Sequence, residues 1–199
     1  MDPSGVEYTN VTQNPARDHS PRWSPDGLSI LFVSDREGQE DIWLIPATGG
    51  EARRLTDDPS ADLHPAWWRD QGGVDWLVYE SLRDGTHALW KMPVAGGSPE
   101  RLTTPAGPGD WDGRPNVMPG TGGVIAFVRS HGGDQGIYRL NPASGEPVRL
   151  ADDDASLEDN PAFSPDGQRV VYQGGGNFDL WTIEVPVPAA PGAAKGSSG

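Results

Sequence analysis

Acidic residues stand three positions before a proline at four places in this chain. The four tetrapeptides read DHSP, DLHP, DGRP and EDNP, which gives the set Asp18, Asp62, Asp112 and Glu158. Carboxylates that meet at one place repel one another and raise some of their pKa values, unless a cation or a hydrogen-bond donor lies among them. Calcium prefers oxygen ligands of this kind, and a Lys or Arg side chain of a partner protein would neutralise them equally well. The spacing therefore predicts a surface that prefers cations. The spacing establishes no cofactor, and calcium or another cation is the candidate ligand.

The same acids have a purely structural interpretation. An Asp before a strand often accepts backbone N–H bonds in an Asx-type turn, and its repetition then reflects only a repeated fold. Three further residues directly precede the repeated proline and are candidate neighbours of the acids: His64, Arg114 and Asn160. His64 could add a metal ligand or a pH-sensitive contact, and Arg114 is an internal cation that would make an external ion unnecessary. Both interpretations stay open from the residues alone.

The acids recur because a whole unit of the sequence recurs. The segment PRWSPDG begins at Pro21 and PAFSPDG at Pro161, and related segments begin at Pro65 and Pro115. A second shared block follows each, and its aromatic column is Trp43, Trp90, Tyr138 and Trp181. Units of about 40 to 45 residues, each with four strand-like segments and Pro-Asp-Gly turns, are typical of propeller blades. The sequence therefore predicts an all-β fold, a β-propeller of four blades with four antiparallel strands each.

The blades are predicted inside a single domain over residues 1–185. Their ranges are 18–56, 62–103, 112–150 and 158–185. The fourth unit lacks its outer strand, whereas residues 6–12, VEYTNVT, align with the outer strand EARRLT of the first unit. We therefore expect residues 6–12 to pair with residues 179–185 and to close the ring, and we expect the aromatic column to be buried between blades. Residues 186–199 have the composition of a flexible tail.

These motifs resemble the TolB-like propeller family, whose WD-type repeats carry the same blocks in the same order. The first unit matches as PRWSPDG, LFVSDREG, DIWLIPATGG and RRLT, and the resemblance covers roughly residues 6 to 185. The second and third units depart from it, because WRDQGG and MPGTGG replace SPDG. Known relatives include the propeller of the Tol-Pal envelope system and the gating propellers of some serine peptidases. The resemblance implies a binding platform and a periplasmic or extracytoplasmic place.

Composition excludes several classes of function. The formal net charge of −14 argues against nucleic acid and anionic membranes as partners and favours basic ones. The chain has no cysteine, which excludes thiol catalysis. It also has no apolar run long enough for membrane insertion, and its first residues, MDPSGVEYTN, lack the features of a signal peptide, so the compartment stays open.

The residues predict a noncatalytic binding or protein-interaction module rather than an enzyme. The motifs G-x-S-x-G and H-E-x-x-H are absent. In a propeller the inner strand of each blade lines a central channel, so the four acids are predicted at the mouth of that channel, where a basic protein or peptide would meet them. One alternative is a carboxylate-based or metal-dependent propeller hydrolase. Another is half of an eight-bladed dimer, or an assembly fragment with no ligand of its own. Economy favours a monomer over a strand-swapped dimer.

Overall fold

Every regular element among the residues that the structure describes is a β-strand. The computed structural model describes residues 8–120, 122–143, 145–150, 158–175, 177 and 179–185. The first sheet contains β1 (Asp18–Trp23), β2 (Ser29–Ser34), β3 (Asp41–Pro46) and β4 (Arg53–Arg54). The second contains β5 (Asp62–Arg69), β6 (Asp75–Ser81), β7 (Ala88–Pro93) and β8 (Glu100–Arg101). The third contains β9 (Trp111–Val117), β10 (Ile125–His131), β11 (Asp134–Leu140) and β12 (Val148–Arg149). The fourth contains β13 (Asp159–Phe163), β14 (Arg169–Gly174) and β15 (Asp179–Glu184).

The repeated heptapeptide forms the turn between the first two strands of a blade. Asp26 Oδ1 accepts hydrogen bonds from Ser24 Oγ at 2.6 Å and from the Leu28 N–H at 3.0 Å, and Gly27 has φ 72°. The fourth blade repeats this geometry at Ser164, Asp166 and Gly167. Only glycine adopts such a positive φ without strain, so the prediction that SPDG makes a turn is confirmed.

The four antiparallel sheets are the blades of a four-bladed β-propeller, as predicted. Strands follow chain order within each sheet, and the inner strands β1, β5, β9 and β13 pack against one another in that order. Neighbouring blades bury apolar side chains of their second and third strands against each other. The blade 1–2 interface contains Leu31, Val33, Ile42, Leu77, Tyr79 and Trp90. The blade 2–3 interface centres on Val78, Leu89, Ile125 and Phe127. The blade 3–4 interface centres on Val128, Ile137, Val170 and Tyr172.

The last blade differs from prediction in how it ends. Residues 8–12 form no strand, and Val11 packs against Phe32 and Trp43 of the first blade. Among the described residues, β15 has no outer partner strand. In the same part of the chain, β13 does not pack on β1 in the way that β1 packs on β5. For this described part of residues 6–12, the predicted pairing with residues 179–185 is wrong, because the half-buried side chain of Val11 packs on blade 1 instead. Residues 6 and 7 and the predicted tail at 186–199 lie outside the described residues.

The aromatic column is buried in three blades and not in the fourth. Trp43 and Trp90 are buried and Tyr138 is half-buried, whereas Trp181 is 46% exposed. The prediction that the whole column packs between blades is therefore wrong for Trp181. In the part of the chain that the structure describes, no helix is long and apolar enough to cross a membrane.

Candidate functional site

The inner strands of the four blades begin at one face of the propeller, which we call the mouth, and each inner strand carries a β-bulge there. The ladder to the second strand skips two residues in every blade, the repeated proline and the residue before it. The residue before the proline has a left-handed backbone in all four blades. We call these four the mouth residues: Ser20 (φ 53°), His64 (φ 49°), Arg114 (φ 54°) and Asn160 (φ 49°).

This backbone geometry is strained. A residue with a Cβ rarely adopts a positive φ, and a following proline further restricts the residue before it to extended conformations. The proline itself causes no loss of hydrogen bonding, because it has no N–H and stands at the inner edge of the sheet. Bulges at sheet edges redirect side chains, and strain of this kind concentrates at functional sites. The mouth residues thus share one backbone geometry but carry four different side chains.

The four predicted acids lie two residues before the left-handed residue of each bulge, and Asp18 is half-buried. Asp62, Asp112 and Glu158 are fully buried. Arg36 Nη2 lies 3.1 Å from Asp18 Oδ1, and Arg83 Nη2 lies 3.3 Å from Asp62 Oδ2. Arg129 binds both oxygens of Asp112, at 2.7 and 2.8 Å. In the first three blades, an arginine of the same blade therefore neutralises the acid.

The same arginines also cover the aromatic column. The guanidinium of Arg36 lies 4.6 Å from the centre of the Trp43 ring, and that of Arg83 lies 4.8 Å from the Trp90 ring. Arg129 lies 5.3 Å from the Tyr138 ring. Each of the three blades thus contains a stack of buried acid, arginine and aromatic ring, which we call the arginine clamp. A guanidinium suits this place because its plane stacks on a ring while its edge binds a carboxylate.

The fourth blade satisfies its acid in another way. Glu158 Oε2 accepts a hydrogen bond of 2.6 Å from the backbone N–H of Ile137, which belongs to the third blade. The acid thus joins blades 3 and 4 rather than two residues of one blade. The prediction placed Glu158 in one set with the three aspartates, but its bonding differs from theirs.

Burial and hydrogen bonding move the pKa values of two of these acids in opposite directions. Burial alone would raise the pKa of Asp18, but hydrogen bonds from Ser34, Thr12 and Arg36 together lower it. Burial raises the pKa of Asp62, and Ser81 and Arg83 oppose this effect only in part. Repetition of the residue type therefore does not give one electrostatic environment.

A second charged cluster lies at the mouth between blades 2 and 3, and the repeat pattern of the sequence does not predict it. Glu80 is buried, and its two oxygens lie 2.8 Å from His64 Nδ1 and 2.6 Å from His87 Nδ1. The backbone N–H of Arg114 donates to the same carboxylate at 3.2 Å. Gly113 allows this approach, because a Cβ there would collide with the carboxylate. The available signal was an acid inside the apolar run DWLVYES.

Glu80 is held in its charged form by its neighbours. Burial would raise its pKa, but the hydrogen bond from His64 and the charges of His64 and His87 lower it below its usual value. Because both imidazoles use Nδ1 toward Glu80, both have Nε2 directed away from it. His64, predicted as a neighbour of the acids, is thus positioned by Glu80 rather than by Asp62.

The side chains of the two other predicted neighbours contact residues of the fourth blade, to which Asn160 itself belongs. Arg114 forms an ion pair with Asp159, and the Asn160 side-chain amide donates to Gln173 Oε1 at 2.9 Å. Arg114 is therefore not placed among the four acids. Within the described ranges, no three His, Asp or Glu side chains lie close enough together to hold a metal ion. Calcium binding at the mouth stays a prediction, and the arginine clamps already supply positive charge to three of the acids.

Comparison with known proteins identifies the family. The TolB beta propeller domain matches residues 4–185. This chain belongs to the TolB β-propeller family.

Relatives of this TolB propeller include Tol-Pal system proteins and a peptidase by name. An uncharacterized peptidase of Bacillus subtilis, YuxL, is 33% identical over 162 residues, which are 81% of this chain and 22% of YuxL. The structure of a putative TolB from Agrobacterium tumefaciens has a TM-score of 0.70 and 27% identity, covering 82% of this chain and 57% of that one. A puromycin-hydrolyzing peptidase of Mycobacterium tuberculosis has a TM-score of 0.66 at 19% identity, covering 89% of this chain and 28% of the peptidase. This last likeness shows the fold alone.

The relatives overturn one prediction. We expected a TolB propeller that is not an enzyme, but the relatives of this chain include a peptidase, and its structural neighbours include hydrolases. The missing catalytic motifs do not decide the question, because the TolB propeller spans less than a quarter of YuxL. Motifs within 199 residues describe only the part of a protein that those residues cover.

Proposed function

We propose that this chain is the propeller part of a peptidase-like hydrolase, and that its mouth residues contact the peptide substrate. The match to YuxL supports this, since it extends over most of the chain. The reactive groups would belong to a part of the protein that YuxL has and this chain does not span. The propeller would then admit, orient and select peptides, which is how binding at a distance contributes to catalysis.

One observation carries the proposal, namely the strained bulge that recurs at the mouth with a different side chain in each blade. A hydroxyl, an imidazole, a guanidinium and an amide are held on one backbone geometry at Ser20, His64, Arg114 and Asn160. Such groups hydrogen-bond to peptide amides and carbonyls. Because three of the four acids below are clamped by arginines, hydrogen bonding rather than bare negative charge would select the peptide. The net charge of −14 would add a preference for basic peptides.

Isothermal titration calorimetry with short, unstructured basic peptides tests this proposal. We expect the double variant Arg114→Ala, Asn160→Ala to lose on the order of tenfold in affinity, as truncation of central contacts does. Arg169→Ala is the matched control, because this exposed arginine lies at the opposite end of blade 4.

Thermal melts of all variants separate a binding defect from unfolding. If no peptide binds the parent, or if the control loses as much affinity as the double variant, the mouth does not contact substrate. Cleavage assays on the same peptides with the longer parent protein would then show whether those that bind are also those that are cut.

A second candidate function is the binding of a folded protein, as the names of the Tol-Pal relatives suggest. A TolB homolog of Chlorobium luteolum is 30% identical over 151 residues and supports this candidate. An extracytoplasmic location belongs to both proposals through the family. Binding of a folded partner with no affinity for isolated peptides would favour the second candidate over the first.

A further inference from the structure

The face opposite the mouth contains a cavity of about 420 Å³ that the proposed function does not use. The inner strands of blades 1 to 3 end at this face, which we call the turn face, and they bring together rings from all three. The cavity is lined by Trp23, Pro25, Trp67, Arg69, Met118 and Pro119, among others. Its volume lies within the range of sites that hold small ligands or peptide segments.

The walls of this cavity are flat, apolar and fixed in place. Trp67 is held by a hydrogen bond of 3.0 Å from its indole N–H to Asp75. Trp68, which also lines the cavity, stacks on Trp76 with 5.9 Å between ring centres. Met118 is confined by Gly167, where a Cβ would lie 2.8 Å from the Met118 side chain. A rigid wall loses little conformational entropy when a ligand binds.

One wall is open to solvent. Trp23 is 63% exposed, whereas Trp67, at the same position of the next blade, packs against the interface of blades 1 and 2. An exposed indole beside Pro25 and Pro119 offers a flat surface onto which another ring can pack. The cavity therefore has rigid inner walls and an accessible aromatic edge.

The rim carries an excess of negative charge. Arg69 is bound by both oxygens of Asp75, at 2.7 and 2.8 Å, and lies 3.8 Å from Asp26. Two carboxylates thus share one guanidinium, and Asp26 stays partly exposed. Hydrogen bonds from Ser24 and the Leu28 N–H lower the pKa of Asp26, so it is charged at neutral pH. A ligand that brings a cation next to the apolar cavity would complement this rim.

We propose that the turn face binds a proline-rich peptide that carries a basic residue beside its prolines. Proline rings pack well on indoles, and a polyproline II segment is already extended, so it loses little entropy on binding an aromatic-lined groove. The basic residue would pair with Asp26, and the net charge of −14 would attract it. This site is separate from the mouth, and the outcome of its test does not depend on the hydrolase proposal.

Titration of the 199-residue chain with three blocked synthetic peptides tests the site. The first is an oligoproline that carries one arginine, the second has glutamate in place of that arginine, and the third is a glycine–serine peptide with the same arginine. We expect only the first peptide to bind, and we would measure its binding by calorimetry and by the change in tryptophan fluorescence of the chain. Trp23→Ala should weaken it on the order of tenfold, and Asp26→Asn should weaken it several-fold with a smaller salt dependence.

Trp181→Ala is the matched control, since Trp181 is also exposed but lies on the fourth blade. The proposal is overturned if the oligoproline does not bind, if the glycine–serine peptide binds as tightly, or if Trp181→Ala has the effect of Trp23→Ala. It is also overturned if a neutral oligosaccharide binds with the same dependence on Trp23. The surface could instead bind a second copy of the chain, and sedimentation at several concentrations tests this. If the parent self-associates and the Trp23→Ala variant does not, the surface is a contact between two copies and the peptide proposal is wrong.

Discussion

Blade 2 and blade 4 follow the same repeat, but their aromatic rings lie in different surroundings. Trp90 is 9% exposed and is covered by Arg83, whereas Trp181 is 46% exposed. Residues 173–177 of blade 4 read QGGGN where residues 33–37 of blade 1 read VSDRE, so a glycine takes the position of Arg36. Blade 4 also lacks an outer strand among the described residues. A repeat unit thus does not bury its own ring, because a neighbouring blade, an outer strand and an arginine must each contribute.

The largest expected effect of this difference is on the two tryptophans. Trp90→Ala should lower the free energy of unfolding by about 3 to 5 kcal/mol, because it removes a buried ring and leaves a cavity. Trp181→Ala should cost about 1 kcal/mol, because half of that ring is already in water. Urea unfolding of both variants under one set of conditions measures the contrast. Equal losses would mean that burial does not distinguish the two blades.

The arginine clamp should show an effect of intermediate size. Arg129→Met leaves the buried carboxylate of Asp112 without its bidentate partner, and we expect a loss of about 3 kcal/mol. The double variant Asp112→Asn, Arg129→Met should regain part of that loss, since it removes the uncompensated charge. Equilibrium unfolding of the two single variants and the double variant gives the coupling energy. Strict additivity would show that the pair does not act as a clamp.

The smallest expected effect concerns Glu80, which takes the position of an apolar residue in blades 1 and 3. Its pKa is lowered in the folded state, so its stabilising contribution is complete above its unfolded value of about 4.5 and is lost as the pH falls through the folded value. Glu80→Gln should therefore cost about 1 to 2 kcal/mol at pH 7, and the difference should shrink as the pH falls below about 4.5. Urea unfolding across this pH range tests it. A difference that does not change with pH would contradict the assigned charge state.

The sequence predicts the features that depend on repetition. The four blades, the SPDG turns and the offset between acid and proline each follow from a pattern that recurs along the chain. The features that it does not predict join residues that do not stand at the same position in every repeat. The arginine clamp is hidden because Arg129 stands before its serine, whereas Arg36 and Arg83 follow theirs. The cluster of Glu80, His64 and His87 joins residues that are far apart in the repeat, and no column of the alignment reveals it.

The predicted ring closure by residues 6–12 shows the limit of alignment in another way. Similarity to the outer strand EARRLT says which segment could pair with β15, but not which apolar surface competes for it. Val11 packs beside Phe32 and Ile45 of the first blade. An apolar contact close in the chain orders few residues, whereas pairing with the last blade must join the two ends of the chain.

The proline in every bulge limits how the inner strands can hold a peptide. An exposed strand edge normally offers a row of N–H and C=O groups, and an extended peptide can add to it as a further strand. Pro21, Pro65, Pro115 and Pro161 each remove a donor from the inner edge, and the bulges interrupt the spacing of the groups that remain. Strand addition along the inner edge is therefore disfavoured in all four blades. A peptide that lies along these inner edges would therefore be recognised mainly by the side chains it meets.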